Sequence, residues 1–596
     1  MVSDQVSFKR LIDIGIALSA EKDSNRLMER ILLEAKDIVN ADAGTLYNRT
    51  KDDKLKFEIM RTDSLGTAAG GTTGIEIPLP PVEMYGLGNE PNLNNIVSYA
   101  ANTGETINVA DAYATEAFDF TGTKQFDERT GYHSKSFLTV PLKNNTDRVI
   151  GVLQLINSMD PEIGEAIHIN EEVINVCSFS AETQPLIEAL ASQAAVCLEN
   201  QNLIEAQKNL LDSFIELMAS AVDAKSPYTG GHCQRVPELT KMLTTAACDS
   251  DEEPFEGFSL DEEEMYELHI GAWLHDCGKV TTPEYVVDKA TKLETITDRI
   301  HEIRMRFELL KAERLIDYQE QIIAGASNKE ELKTQLDVDL RQLEDDFKFI
   351  ADCNVGGEFM ADEQVERVRQ IAKREWTRTL DDRIGISLEE GKRKARTEKK
   401  ELPCKEPLIA DREDHVIEHD AVVHSADPEN PYGFRVDVPE HKYNLGEIYN
   451  LCIPQGTLTE EERFKINDHI IQTIVMLENL PFPTHLERVP EIAGGHHEKM
   501  DGNGYPKRLS GDEMSIPAKV MAIADVFEAL TAADRPYTKK PKTVSESIKI
   551  MGFMVKDQHL DGDLFKLFLS TGIYNEYADK YLLPEQIDEV DIQQYV

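Results

Sequence analysis

Leu27, Ile31, Ala35 and Ile38 recur at helical spacing in SNRLMERILLEAKDIVNA and predict a helix with one apolar face. Residues 1–22 read as a short amphipathic helix before it. GTLYNRT and KLKFEIMR alternate apolar and polar positions, as strands do. SFLTVPLKN and RVIGVLQLIN then predict an apolar strand pair joined by a turn, and EALASQAAVCLENQNLI is helical again. From 196 to 222 the chain reads as one continuous helix in which Val196, Leu203, Leu210 and Leu217 repeat every seven residues. Ala206, Ser213 and Ser220 are their small partners. Such a repeat marks a coiled-coil seam, although Phe214 and Met218 would equally suit packing on a neighbouring domain.

Two further stripes appear in the region 298–400, which is rich in Glu, Lys, Arg and Gln. Ile300, Ile303, Phe307 and Leu310 form the first; Leu332, Leu336, Leu340, Leu343, Phe347 and Ile350 form the second. Gly325 and Ala326 lie between them, so a helical hairpin is expected, with Ser327 and Glu330 as a capping box at the start of its second arm.

The 596 residues suggest three or four structural units. With 41% apolar and 29% charged residues the chain can bury real cores, and no apolar run approaches the ~20 residues of a membrane-spanning helix. The charged N-terminus lacks a secretory signal, so a cytoplasmic location is expected. The eight cysteines form no CxxC pair and read as buried reduced thiols. A formal net charge of −46 repels phosphate backbones and argues against nucleic acid as a partner. An anionic substrate would need local cations, such as metal ions, to overcome that field.

The segment 23–200 resembles a GAF domain. The resemblance is carried by Thr130-Gly131-Tyr132, by the strand ending in Val140-Pro141-Leu142, and by Gly151 to Asn157. The cyclic-nucleotide-binding subset of that family has Asn-Lys after this strand, then a spaced Phe and an Asp-Glu pair. Here Ser158 follows Asn157, and Phe179 precedes Glu182-Thr183. The ligand therefore stays open between a cyclic nucleotide, another small molecule, and none, with the domain acting as a dimer module.

Histidines and acids stand on apolar segments that read as helices throughout the second half. They are His232 in YTGGHCQRV, His275-Asp276 in GAWLHDCGKV, His469 in FKINDHIIQTIVML, His496-His497 in GGHHEKMDGNGYP and Asp525 in VMAIADVFEALTAADRPYT. Ligands projecting inward from several helices suit a metal centre in a bundle, and a His-Asp pair lets one carboxylate bridge two ions. Singly these signals are weak. Together, HDCGK, HHEKMDGNGYP and ADRPYT resemble the HD-GYP branch of the HD metal-dependent phosphohydrolases, over residues 223–300 and 450–545.

That resemblance implies a bacterial cyclic di-GMP phosphodiesterase with two divalent ions, iron or manganese by ligand type. One ion would take His232, His275, Asp276 and Asp525, the other Asp276, His469, His496 and His497, with Asp276 bridging. Lys279 would reach the same cavity and contact phosphate, as would Arg535 and Lys539 or Lys540. Asp501, Gly504, Tyr505 and Pro506 would form the substrate loop, Asp501 mainly as a turn former. Gly502 and Gly504 would supply positive φ. Arg235 reads as a structural ion-pair residue, and Tyr228 stands where some members carry a glutamate for a third ion.

Ordinarily the ligand after the His-Asp pair follows within a few dozen residues, whereas Asp276 and His469 are 193 apart. PEYVVDKATKLET and YNLCIPQGTLTEEERFKINDH look like halves of one region split by an insertion near 300–450. His415, His419 and His424 lie inside it, and their surroundings favour a strand over a metal site.

The expected architecture is multidomain. An N-terminal helix (1–22) precedes an α/β GAF domain (23–200) and a signalling helix (201–222). An all-α HD-type bundle (223–596) with a helical insertion follows. The expected protein is a homodimeric sensor-effector that hydrolyses cyclic di-GMP to pGpG, with a further cut to GMP left open. The rivals are a phosphodiesterase for another cyclic dinucleotide such as cyclic GMP-AMP, a metal- and nucleotide-binding protein without turnover, and a nucleotidase of the wider HD superfamily.

Overall fold

The computed structural model describes residues 2–86, 88–160, 176–225, 231–357, 359–419, 427, 429–533 and 541–595. The chain divides into two compact units, Met1–Leu211 and Asp212–Val596.

In the first unit α1 (Val2–Ser19) and α2 (Ser24–Ile38) precede the strands β1 (Ala41–Arg49), β2 (Lys54–Thr62), β3 (Thr67–Gly70) and β4 (Val82–Glu83). Then come α3 (Ile96–Thr103), β5 (Ile107–Val109), α4 (Thr121–Thr130), β6 (Phe137–Lys143), β7 (Val149–Met159), β8 (Val176–Cys177) and α5 (Gln184–Lys225). The sheet is antiparallel, in the order β3-β2-β1-β7-β6-β5, with β4 beside β2 and β8 beside β7. The expected pair is β6 and β7, in register with Val140 opposite Leu153. On one face Leu27, Ile31 and Ala35 of α2 pack with Leu11, Ile14 and Leu18 of α1 and with Ile187, Leu190 and Ala194 of α5. The N-terminal helix thus shares this unit's core. The other face buries Val97 and Ala100 of α3 against Tyr47, Phe137 and Val152.

The residues that carry the GAF resemblance hold this fold together. Tyr132 donates its hydroxyl to Asp42 at 2.6 Å, and Asn157 donates to the same hydroxyl at 3.0 Å and to the His133 carbonyl at 2.8 Å. Asn157 takes φ 58°, and its side-chain oxygen accepts from Lys135 N. Phe179 is buried in the core. These side chains are committed to the fold.

The second unit begins within α5 and continues with α6 (His232–Cys248), α7 (Glu262–Leu274) and α8 (Glu284–Val287). The insertion follows as α9 (Ile300–Ile323), α10 (Lys329–Val355), α11 (Asp362–Ala372), β9 (Glu375–Arg378), α12 (Leu388–Lys394), β10 (Cys404–Pro407), β11 (Val416–Ile417) and β12 (Tyr443–Asn444). The chain then returns through α13 (Glu447–Leu451), α14 (Glu460–Glu478), α15 (Val489–Gly494), α16 (Ile516–Thr531), α17 (Val544–Lys556), α18 (Gly562–Ser570) and α19 (Ile573–Tyr581). Val236, Leu243, Ala272, Met521, Phe527, Ile548 and Phe568 join α6, α7, α16, α17 and α18 in one core.

The α9–α10 hairpin forms as its stripes predict. Ile300, Ile303, Phe307 and Leu310 meet Leu343 and Ile350 in a separate core that also takes in Val368, Leu408 and Leu451. Two expectations fail here. The cap of α10 is Asn328, with no side-chain capping bond, because the helix starts one residue later than a Ser327 cap requires. The insertion is also not purely helical. Strands β9–β10 and β11–β12 form two small antiparallel sheets, and Trp376 of β9 packs against the hairpin's core.

The two ends of the insertion are pinned together. Lys289 Nζ meets Glu462 at 2.7 Å, Thr457 donates to the Lys289 carbonyl at 3.0 Å, and Lys292 Nζ donates to the Ile453 carbonyl at 2.7 Å. The long excursion therefore leaves α8 and α14 as neighbours. Among the described residues no helix is long and apolar enough to cross a membrane, and the cysteines are free thiols. Cys233, Cys277 and Cys353 are buried, whereas Cys177 is exposed, contrary to the expectation that all are buried.

Candidate metal centre

Five separate stretches deliver the seven candidate ligands. His232 opens α6, and His275 and Asp276 follow the last turn of α7. His469 sits mid-helix in α14 and Asp525 mid-helix in α16. His496 and His497 lie in the turn after α15 rather than on a helix. Helix α14 starts at a capping box, with Thr459 Oγ1 accepting from Glu462 N and Glu462 returning to Thr459 N. Helix α16 is capped by Ser515, with Pro517 in its first turn.

The His-Asp pair is held against α14 by Gly278. Its N–H donates to Thr473 Oγ1 at 2.9 Å, and a Cβ there would stand 1.9 Å from the His469 carbonyl oxygen. No other residue lets the Cys277–Thr281 turn approach the helix so closely. Asp276 is thereby aimed both ways. Its Oδ2 lies 3.1 Å from His232 Nε2 and 3.3 Å from His275 Nε2, and its Oδ1 lies 3.3 Å from His469 Nε2. Asp525 Oδ1 is 3.3 Å from His232 Nε2. His497 Nε2 is 3.3 Å from His469 Nε2, and His496 packs edge-on against His275 at 4.9 Å between ring centres. Two clusters result, His232–His275–Asp276 and His469–His496–His497, each with ligand atoms within 4.8 Å of one another.

The donor set fits a pair of divalent cations. His275, His469 and His496 each donate Nδ1–H to the carbonyl three residues back, at 2.7, 2.5 and 2.8 Å. That bond leaves the Nε2 lone pair of each imidazole pointing inward. His496 Nε2 is buried with no hydrogen-bond partner among the described residues, and such an atom needs an explanation. Lone pairs facing lone pairs beside two carboxylates are satisfied by positive charge. Burial lowers the His496 pKa to about 4, so the ring stays neutral as a ligand must. Burial opposes ionisation of Asp276, yet Lys279, His275 and His232 hold its carboxyl well below the usual range.

Several neighbours steady the ligands. Glu528 Oε2 receives His232 Nδ1 at 2.5 Å, and its other oxygen receives Arg235 Nε at 2.8 Å. Burial raises the Glu528 carboxyl, but His232 and Arg235 outweigh it and hold it at about 2. Arg235 is thus the ion-pair residue its spacing suggested, and Glu528 is a partner that the sequence reading missed. Its place three residues after Asp525, on one face of α16, was the available signal. Lys279 faces the centre and its ammonium pairs with Asp276 Oδ2.

The GYP loop packs beside the second cluster. The Tyr505 ring stacks on His497 with 4.8 Å between centres and 16° between planes, and Gly504 and Pro506 are buried. Glu498, also missed, is buried and organises the loop from within. Its two carboxylate oxygens accept from Lys507 N at 2.6 Å and Leu509 N at 2.9 Å. Asp501 is exposed and accepts from Asn503, as a turn former does. Gly502 takes φ 75°, as expected. Gly504 does not take positive φ; it is required because a Cβ would lie 2.4 Å from Glu498 Cα and Lys499 N. The insertion backs the loop, since Arg435 N donates to the Pro506 carbonyl at 2.7 Å. Arg535, Lys539, Lys540, Tyr228 and His424 lie outside the described residues. Neither His415 nor His419 falls in a described cluster of metal-binding geometry.

Comparison with known proteins matches residues 23–198 to the GAF domain family and residues 403–564 to the HD domain family. The 3'3'-cGAMP-specific phosphodiesterase 2 of Vibrio cholerae serotype O1 is 48% identical over 139 residues, covering 22% of this chain and 26% of its own. The 3'3'-cGAMP-specific phosphodiesterase 1 of the same organism is 38% identical over 146 residues, covering 23% and 33%. A cyclic di-GMP phosphodiesterase of Pseudomonas aeruginosa is 38% identical over 137 residues, covering 22% and 32%. The chain spans a third or less of the length of these relatives. The HD match contains His469, His496, His497 and Asp525, and the fold brings His232, His275 and Asp276 to them from outside it. The chain therefore combines a GAF domain with an HD domain.

Proposed function

We propose that the chain is a metal-dependent phosphodiesterase that hydrolyses cyclic di-GMP, opening it to linear pGpG and cutting on to GMP. The observation that carries this reading is the shared carboxylate, with Asp276 Oδ2 3.1 Å from His232 and Oδ1 3.3 Å from His469. His232, His275, Asp276 and Asp525 hold one divalent ion, and Asp276, His469, His496 and His497 hold the other. Iron or manganese suits these nitrogen and oxygen donors. Bound there, the ion pair supplies Lewis acidity, lowering the pKa of water and offsetting phosphoryl charge.

The chain's own groups do the rest. The Lys279 ammonium, beside Asp276, also contacts the phosphate. Tyr505, stacked on His497, and Pro506 shape the wall for a base, on a loop that Glu498 and Asp501 keep folded. Arg535 is a further phosphate contact. A cytoplasmic place is part of this reading.

Regulation passes from a small ligand of the GAF domain along α5. In the second unit Ala219 and Val222 of that helix pack on Cys233, next to His232. The seam Val196, Leu203, Leu210 and Leu217 is 45–71% exposed, which supports a dimer formed through α5. Activity that is unchanged on deleting residues 1–200 would count against the regulatory role.

A second reading, 3'3'-cyclic GMP-AMP as substrate, is favoured by the 48% identity to a relative named for that specificity. The decisive assay uses anaerobically purified protein supplied with iron(II) or manganese. It compares both cyclic dinucleotides on wild type and Asp276→Ala. Turnover in wild type alone supports the reaction and the bridging carboxylate. Metal-loaded wild type that turns over neither substrate refutes the reading.

A further inference from the structure

We infer that the cleft between the insertion and the start of α14 is a second nucleotide site, distinct from the metal centre. The cavity measures about 1140 Å³, slightly above the usual range of small-ligand pockets. One side is built by α11 and the stretch after β10, the other by α13 and the first turn of α14. Ile409, Ile448 and Leu458 give it an apolar lining that a purine base can cover.

The cations around it are unusual for this chain. Arg369 in the last turn of α11, Lys373 just after that helix, and Arg463 on α14 all line the cavity. None of the three forms an ion pair with a described residue, in a chain of 109 acidic and 63 basic side chains. Nearby Arg367 and Arg374 are both paired with Asp346. Free guanidinium and ammonium groups converging on one concave surface are the complement of a phosphate.

Three carboxylates share the cavity. Asp411 is committed, accepting from Ile448 N at 2.9 Å and Tyr449 N at 3.2 Å. Among the described residues Glu366 accepts only a long bond of 3.4 Å from Gln370, and Glu460 stands in the first turn of α14. An inorganic anion would gain nothing from these two acids. A guanine nucleotide uses both sets, with phosphate on the cations and the base N–H groups on the carboxylates. The position matters because α14 carries His469 further along and holds Gly278 through Thr473. A ligand on the first turn of this helix therefore bears on the second metal cluster.

The site rests on the reading above only for that consequence; binding can be tested without turnover. The full chain carrying Asp276→Ala, which disables the metal centre, is titrated calorimetrically with GMP and separately with inorganic phosphate. One GMP per chain is expected, with at least tenfold weaker binding in Asp276→Ala/Arg369→Ala/Lys373→Ala. Both added substitutions are at exposed positions, and with Asp276 intact they leave basal hydrolysis unchanged. Arg463→Ala, on the opposite wall, weakens GMP independently. The inference is overturned if GMP does not bind, if binding survives the substitutions on both walls, or if phosphate binds as tightly as GMP.

Discussion

Replacing Gly278 by alanine is expected to split the metal centre at its shared carboxylate. A Cβ on Gly278 would stand 1.9 Å from the His469 carbonyl oxygen and 2.6 Å from Thr473 N. Both obstacles are helix backbone, so no side chain can swing aside. Ordinary contact begins near 3.4 Å, so the turn and α14 must part by about 1.5 Å to restore it. Overpacking of this kind costs about 1–3 kcal/mol, and losing the bond from Gly278 N to Thr473 adds about 1 kcal/mol. Asp276 moves with the turn, whereas metal–ligand distances tolerate only about 0.2 Å. The ion shared with His469, His496 and His497 should therefore bind at least ~10-fold more weakly, while the ion on His232, His275 and Asp525 keeps those three ligands and weakens less. Calorimetric titration of manganese into metal-free protein resolves the two events. Gly357→Ala serves as the control, because its Cβ would meet nothing within 4 Å. Two binding events at wild-type affinity in Gly278→Ala, with unchanged unfolding, would refute the argument.

Glu528→Gln keeps the size of the side chain but removes the charge that orients His232 from Nδ1, so metal affinity at the first cluster should fall ~10–100-fold in the same titration. Burial, reinforced by Arg412, depresses the His415 pKa from 6.5 to about 4. Between those values the unfolded chain binds a proton that the folded chain refuses, so stability falls as pH drops through the window. The loss is about 2 kcal/mol near pH 5; urea unfolding of His415→Gln should lack that part of the slope. Leu210→Glu puts a charge at an exposed seam position; by sedimentation the variant should be a folded monomer where the wild type is expected to be a dimer.

The elements were legible because their signals are local. Leu27, Ile31 and Ala35, or Ile303, Phe307 and Leu310, reveal a buried helix face through spacing alone, and they are buried as that spacing requires. Four of the seven candidate ligands stand in contiguous strings, His275-Asp276 in HDCGK and His496-His497 in HHEKMDGNGYP, so they could be singled out from the sequence. Caps and turns were read less well. Asn328 rather than Ser327 begins α10, because one residue of helix phase is not set by composition. Gly504 looked like a positive-φ residue, but its need is the room beside Glu498, which only the folded loop creates.

What only the tertiary structure decided is which distant groups meet. Asp276 and His469, 193 residues apart, share one centre. They do so because Lys289, Lys292 and Thr457 close the ends of the insertion and Gly278 lets a turn lie against α14. Glu528 and Arg235 become partners across α6 and α16 in the same way. A chain encodes periodicity in neighbouring residues, and that much can be read directly. Contacts of a few ångströms across hundreds of residues depend on how whole helices pack, and no local pattern records them.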